Sequence, residues 1–159
     1  MKNIFVLQLI VIVVELNMLS DPFTTLFKKG SIKAMRAITA MDMNSPEIVE
    51  RVSTEVWKKI WIHDLDITDE AVLMDAFAKA GLSEEQGREF LGLASTKAVK
   101  NKLKENTEEA LDAGCFGAPS FIVRQEGEED KMFFGQGSFL AFKEGVNAFQ
   151  IVLNCCATS

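Results

Sequence analysis

Apolar and polar residues alternate at helical spacing through the middle of this chain, then give way near its end to two short, dense apolar runs. From Ser31 to Met43, the residues Ile32, Met35, Ile38 and Met41 fall on one helical face, which predicts a helix with those side chains inward. Ser45-Pro46-Glu47 opens a second helix, with Ser45 as N-cap and Pro46 at the first position. Its apolar stripe is Ile48, Val49, Val52, Val56, Ile60 and Trp61. Thr68-Asp69-Glu70 starts a third helix that runs through Ala80 and ends at Gly81 in a C-terminal cap position. Ser83-Glu84-Glu85-Gln86 reads as a capping box, in which the Ser and Gln side chains satisfy free backbone N–H groups reciprocally. A fifth helix spans about Thr96 to Ala113, with Val99, Leu103, Ala110 and Leu111 inward and Lys100, Lys102, Lys104 and Glu108 outward. Gly114 closes it.

The pattern changes at Gly117-Ala118-Pro119. A strand is expected over Phe121 to Val123, an acidic turn over Glu126 to Asp130, and a second strand over Met132 to Phe134. Gly135 then breaks the chain before a last helix. A proline directly ahead of a strand, with no proline after it, suggests a deliberate and cis-capable bond. Proline, strand, hairpin, strand and helix in that order resemble the C-terminal half of a thioredoxin fold.

At the other end, an apolar run from Ile4 to Val14 is interrupted only by Gln8 and stopped by Glu15. It is too short for a membrane span, which needs roughly 20 residues. Three readings stand side by side: a core strand rich in Ile and Val, a targeting segment, and a divergent start. Composition narrows the class. With 48% apolar and 25% charged residues, the chain is an ordinary globular one. Its net charge of −6 argues against a nucleic-acid surface. Its cysteines, Cys115, Cys155 and Cys156, form no Cys-x-x-Cys and no metal-ligand spacing. An adjacent pair seldom closes a disulfide, so an intracellular, reducing compartment is expected.

A set of short motifs then falls in order: Lys29-Gly30-Ser31, Ala34-Met35-Arg36, Glu55-Val56-Trp57, Asp66-Ile67-Thr68, Lys79-Ala80-Gly81, Val99 to Glu105, Thr107-Glu108, Gly114 to Pro119, and Phe134-Gly135. Together they resemble the kappa class of glutathione transferases, relatives of the DsbA-like bacterial disulfide oxidases and of 2-hydroxychromene-2-carboxylate isomerases. The resemblance covers roughly residues 21–145. It implies an α/β, thioredoxin-like fold with an inserted all-helical, DsbA-like domain. The first thioredoxin half would be missing or replaced, as in an N-terminally truncated chain. The implied organisation is an apolar segment over 1–20, a helical insertion over 21–113, a C-terminal β-β-α half over 114–153 and a tail over 154–159.

The resemblance implies conjugation of the glutathione thiol to an electrophilic small molecule, with glutathione as substrate and no metal. It also implies a homodimer in the mitochondrion or peroxisome, with the cytoplasm as the alternative. The family's activating serine stands at the first thioredoxin helix. No residue before Asp21 matches it, Ser20 included, so no catalytic residue is carried over. What carries over is part of the glutathione cradle. Ala118, beside Pro119, holds the position whose backbone pairs with glutathione in strand-like fashion. The plainer reading of Pro119 is that it only shapes the strand entry. Gln136 and Gly137 fall where the family places a hydroxyl residue and an aspartate that anchor the γ-glutamyl end. A helix N-terminus there still offers N–H groups to a carboxylate, but the amino group lacks its acid. The alternative function is a non-catalytic thioredoxin-like fragment that acts through protein–protein binding.

Other chemistry-bearing residues have plain readings. His63, the only histidine, is expected at a helix end on the surface. Cys115 is expected to be a small buried residue, with a reactive thiol as the sharper alternative. Trp57 and Trp61 are one turn apart and read as core or interface. Met35, Met41 and Met43 read as helix packing. Asp64 and Asp66 read as a loop and N-cap feature without metal.

Overall fold

A computed structural model of the chain describes residues 29–117, 120–124, 131–134 and 150–152. The helices are α1 (Ile32–Asn44), α2 (Val49–Trp61), α3 (Glu70–Lys79), α4 (Glu84–Leu93) and α5 (Lys97–Asp112), and a 3-10 turn (Pro46–Ile48) precedes α2. Three strands follow: β1 (Ser120–Arg124), β2 (Lys131–Phe134) and β3 (Gln150–Val152). The chain divides into two compact units within α5, between Leu103 and Lys104.

The helical unit is built by successive packing of neighbours. α1 packs on α2 and α4, α2 on α3, and α3 on α4. α2 presents the expected stripe, with Val52, Val56 and Ile60 buried and Ile48, Val49 and Trp61 half-buried against them. The face of α1 is a correction. The expected inward residue Ile32 is exposed and Met35 and Ile38 are half-buried. Met41 is fully buried as expected, but it shares the buried face with Ala37 and Ala40, with Ala34 beside them. Phe77 and Leu73 from α3 fill the centre. Phe90 from α4 and Val99 from α5 complete the core.

Local chemistry sets the helix ends. Ser83 and Gln86 form the capping box, with Ser83 N–H donating to Gln86 Oε1 at 2.9 Å and Gln86 N–H donating to Ser83 Oγ at 3.2 Å. Asp69 caps α3 by accepting from the Ala71 N–H at 2.9 Å. Ser45 makes no side-chain cap; its N–H instead donates to Met41 O at 2.7 Å as Pro46 opens the 3-10 turn. Gly81 ends α3 at φ +91°. Its N–H donates to Ala78 O at 2.9 Å, and the next N–H, of Leu82, reaches back to Phe77 O at 3.0 Å. That is a Schellman motif, with Leu82 and Phe77 both buried in the core cluster.

One charge lies inside this core. Lys59 is 4% exposed, and its ammonium donates to the Asp75 carboxylate. Asp75 stays half-exposed and also accepts from Lys79 at 3.3 Å. Lys59, and then Lys79, hold the Asp75 carboxyl below its ordinary value. A buried ammonium is tolerated only with such a partner, because desolvating an unpaired ion costs several kcal/mol.

In the other unit, β1 pairs antiparallel with β2 in the register Ser120 opposite Phe134 and Ile122 opposite Met132. These are the two strands expected from the sequence. On its other side β1 pairs antiparallel with β3, Ile122 opposite Val152. That strand was not expected: the chain was to close this half with a helix. The intervening residues 135–149 lie outside the described residues. Leu111 of α5 is also a correction, exposed rather than inward, whereas Val99 and Ala110 are buried as expected.

Two glycines give opposite expectations. Gly81→Ala forces a side chain into left-handed backbone and should destabilise the chain by about 1 kcal/mol or more. Gly92 lies in α4 with open space where a Cβ would stand, so Gly92→Ala should stabilise by up to about 1 kcal/mol. Urea unfolding of the two variants beside the parent chain measures both; equal shifts of one sign would contradict the assignment.

Candidate functional site

The approach to the sequence-predicted site is the end of α5. Gly114 is left-handed at φ +84°. Its N–H donates to Leu111 O at 2.9 Å, and the Cys115 N–H donates to Ala110 O at 2.9 Å. This is a second Schellman motif. Beneath it Cys115, 5% exposed, packs on the fully buried Ala110, with Ala113 alongside. The cap reverses the chain and sends it through Phe116 and Gly117 toward β1. Two residues later Ser120 is locked into the ladder opposite Phe134. Ala118 and Pro119 are the two residues between these anchors. Their own geometry lies outside the described residues, as do Gln136, Gly137, Ser20, Cys155, Cys156 and the apolar run 4–14.

The remaining candidates fall where their plain readings put them. His63 is exposed at the end of α2. Cys115 is buried. Trp57 and Trp61 are half-buried, with ring centroids 6.0 Å apart. Met41 is in the core, Met35 is half-buried and Met43 is exposed. Among the described residues no group of three His, Cys, Asp or Glu side chains is placed to hold a metal ion. No helix among them is long and apolar enough to cross a membrane.

Asp66 is more built than a loop residue needs to be. Its carboxylate accepts from Lys29 Nζ at 2.6 Å, from the Thr68 N–H at 2.9 Å and from the Thr68 hydroxyl at 2.7 Å. The Lys29 hydrogen bond, then the two from Thr68, hold its pKa down at about 2. The interaction ties the residue entering α1 to the loop between α2 and α3. Two of the sequence motifs, Lys29-Gly30-Ser31 and Asp66-Ile67-Thr68, are thus two ends of one contact. Sequence reasoning also missed Lys59. The available signal was its place one turn from Val56 and two turns from Val52, on the inward side of α2.

A shallow groove opens between α3 and the start of α4, lined by Glu70, Ala71, Met74, Asp75, Glu84 and Arg88 among others. Glu70 faces Lys33 at 3.3 Å, Asp75 is held by Lys59 and Lys79, and Glu84 accepts from Arg88 at 2.7 Å. Every carboxylate on it is already paired, and it reads as a solvated helix face. Two buried polar atoms, Ser53 Oγ and Arg36 Nε, have no hydrogen-bond partner among the described residues.

The chain belongs to the DsbA-like thioredoxin domain family, which it matches over residues 8–147. The matched stretch begins before Asp21 and takes in the second half of the apolar run. The chain is 38% identical to glutathione S-transferase kappa 1 of Rattus norvegicus over 120 residues, 76% of this chain and 53% of that protein. It is also 38% identical to glutathione S-transferase kappa 1 of Homo sapiens over 113 residues, 71% of this chain and 50% of that protein. Identity to glutathione s-transferase kappa 2 of Caenorhabditis elegans is 25% over 99 residues, 62% of this chain and 43% of that protein. The chain spans about half the length of the curated relatives it matches.

Asp66 gives a test of the electrostatics. Its folded pKa lies below the ordinary 3.8. The stability it contributes is therefore present above that value and lost as pH falls from about 4 through about 2. Lys29 and Asp66 both reach water, so the effect is modest and screened by salt. Thermal melts across this range should show a shallower loss for Asp66→Asn than for the parent chain. Parallel curves would remove the ion pair from the account.

Proposed function

We propose that this chain handles glutathione as a kappa-class glutathione transferase does, presenting the tripeptide thiol to an electrophilic small molecule. The observation that carries this is the 38% identity to kappa 1 transferases in rat and human, over most of this chain. The capped end of α5 and the antiparallel pair β1 and β2 support the reading, since an extended peptide can pair through its backbone beside such strands. On this reading the helices over 29–112 are the inserted block, and β1 and β2 belong to the C-terminal thioredoxin half. Ala118 beside Pro119 pairs with the cysteinyl backbone. The N–H groups around Gln136 and Gly137 receive the γ-glutamyl carboxylate. A homodimer resident in the mitochondrion or peroxisome completes the proposal.

In the reaction, the glutathione thiol loses its proton, the thiolate sulfur attacks an electrophilic carbon, and a carbon–sulfur bond forms as the leaving group departs. Its rate depends on the thiolate fraction at neutral pH. Each pKa unit of thiol activation is worth about 1.4 kcal/mol. The segment matched to the kappa relatives supplies no residue assigned to that activation, and Gly137 cannot receive the glutathione ammonium. Weak glutathione binding and slow conjugation are therefore expected of the 159-residue chain. Calorimetry with glutathione and conjugation of a chlorodinitrobenzene-type electrophile measure the two. Sub-micromolar affinity, or turnover comparable to an ordinary transferase, would overturn this expectation. Gly137→Asp should tighten binding by restoring a charge-assisted hydrogen bond of about 1.5–3 kcal/mol. Loss of turnover in Ser20→Ala would identify Ser20 as the activating hydroxyl; loss in Cys115→Ala would make the protein's own thiol the nucleophile.

A further inference from the structure

We propose that Met74 is a modification site: a peroxide oxidises its thioether to the sulfoxide, and the oxidised side chain loosens α4 from α3. Glutathione has no part in this, and the site lies wholly within the helical unit. Three observations meet at the side chain. Met74 is half-buried on α3 and lines the shallow groove between α3 and the start of α4, where a small solute reaches it. It also packs against the buried core, the one half-buried methionine among the described residues to do so. Its thioether lies on Gly87, a buried residue of α4: a Cβ at that glycine would stand 2.9 Å from both Sδ and Cε. Met74 is thus at once reachable and part of the α3–α4 joint. The other described methionines lack one of these properties. Met41 is fully buried, Met43 and Met132 are exposed, and Met35 is half-buried without packing on that core.

The step transfers one oxygen atom. A lone pair on Met74 Sδ attacks one peroxide oxygen, an S–O bond forms and the O–O bond breaks. The departing oxygen takes up a proton and leaves as water, or as an alcohol from an organic peroxide. The sulfur loses two electrons and the peroxide gains them. A sulfoxide is polar and carries an oxygen that the thioether lacked. Left on Gly87, that oxygen is a buried acceptor without a donor, which costs its desolvation. Turned out into the groove, it meets donors, since Arg88 spends two N–H groups on Glu84 and has others to give. The seat over Gly87 then empties, and α4 loses the contact that filled it. Either position weakens the joint.

The test treats the folded chain with hydrogen peroxide, removes the oxidant, and reverses cysteine sulfenates and disulfides with a thiol reductant, which leaves methionine sulfoxide in place. Peptide mass spectrometry should show Met74 oxidised about tenfold or more faster than Met41, as thioether access dictates. The melting temperature should fall by about 3 °C or more, and methionine sulfoxide reductases should restore it. Met74→Leu, a volume-conserving change, should keep its melting temperature through the same treatment, whereas Met43→Leu should lose as much as the parent. Hydrogen exchange of the parent, read separately on oxidised and unoxidised molecules of one sample, needs no variant; the α4 amides should exchange faster in the oxidised ones. Any of three results would overturn the proposal: Met74 unreacted in the folded chain while Met43 is fully oxidised, Met74 sulfoxide with unchanged melting and exchange, or an equal loss in Met74→Leu.

Discussion

The helical unit depends on how closely α1 can approach its neighbours. Ala34, Ala37 and Ala40 present a face with no side chain beyond Cβ, and it is this face that is buried. Helix axes pack about 8–10 Å apart depending on the side chains between them, so small residues give the near end of that range. Met41 is the one long side chain on the buried face. Phe77 and Leu73 reach the same core from α3. Between α3 and α4, Gly87 repeats the device: a Cβ there would meet the Met74 thioether at 2.9 Å. Interiors packed at crystal-like density transmit such constraints. The charged interior residue, Lys59, is accommodated at the edge of this packing, where Asp75 can pair with it and still reach water.

The parts of the fold legible in the sequence are those decided within a few residues. The capping box at Ser83 and the glycine stops at Gly81 and Gly114 follow from local hydrogen bonds and local backbone freedom, and the structure has all of them. The α2 stripe was legible because its large β-branched residues admit one inward face. The α1 face was not, because periodicity weighs size. Ile32, Met35 and Ile38 outweigh alanine on any hydropathy pattern, while the buried face there is Met41 with the small Ala34, Ala37 and Ala40. Leu111 failed in the same way, since one apolar residue on a strongly polar helix need not find a partner. β3 was illegible for a different reason: a three-residue strand is fixed by its pairing with β1, a contact remote in sequence.

Several of the motifs that carry the family resemblance are joints or core positions. Lys29 and Asp66 meet across 37 positions of sequence. Gly81 and Gly114 reverse the chain at helix ends. Val56 and Val99 are core. This explains why the family was recognisable from short fragments while the chemistry was not. Joints impose residue types at fixed spacings, whereas a backbone-mediated cradle asks for a conformation and tolerates almost any side chain. Under the proposed function Ala118 would be such a position, and no composition or spacing rule could single it out.

Burial of Cys115 turns the cap into its own reporter. A thiol at 5% exposure is reached by an alkylating reagent only when the structure around it opens. Its modification rate, read on the peptide that contains it, counts those openings one molecule at a time. The end of α5 thus has a natural clock for local unfolding, set at the place where the chain turns from helix to sheet.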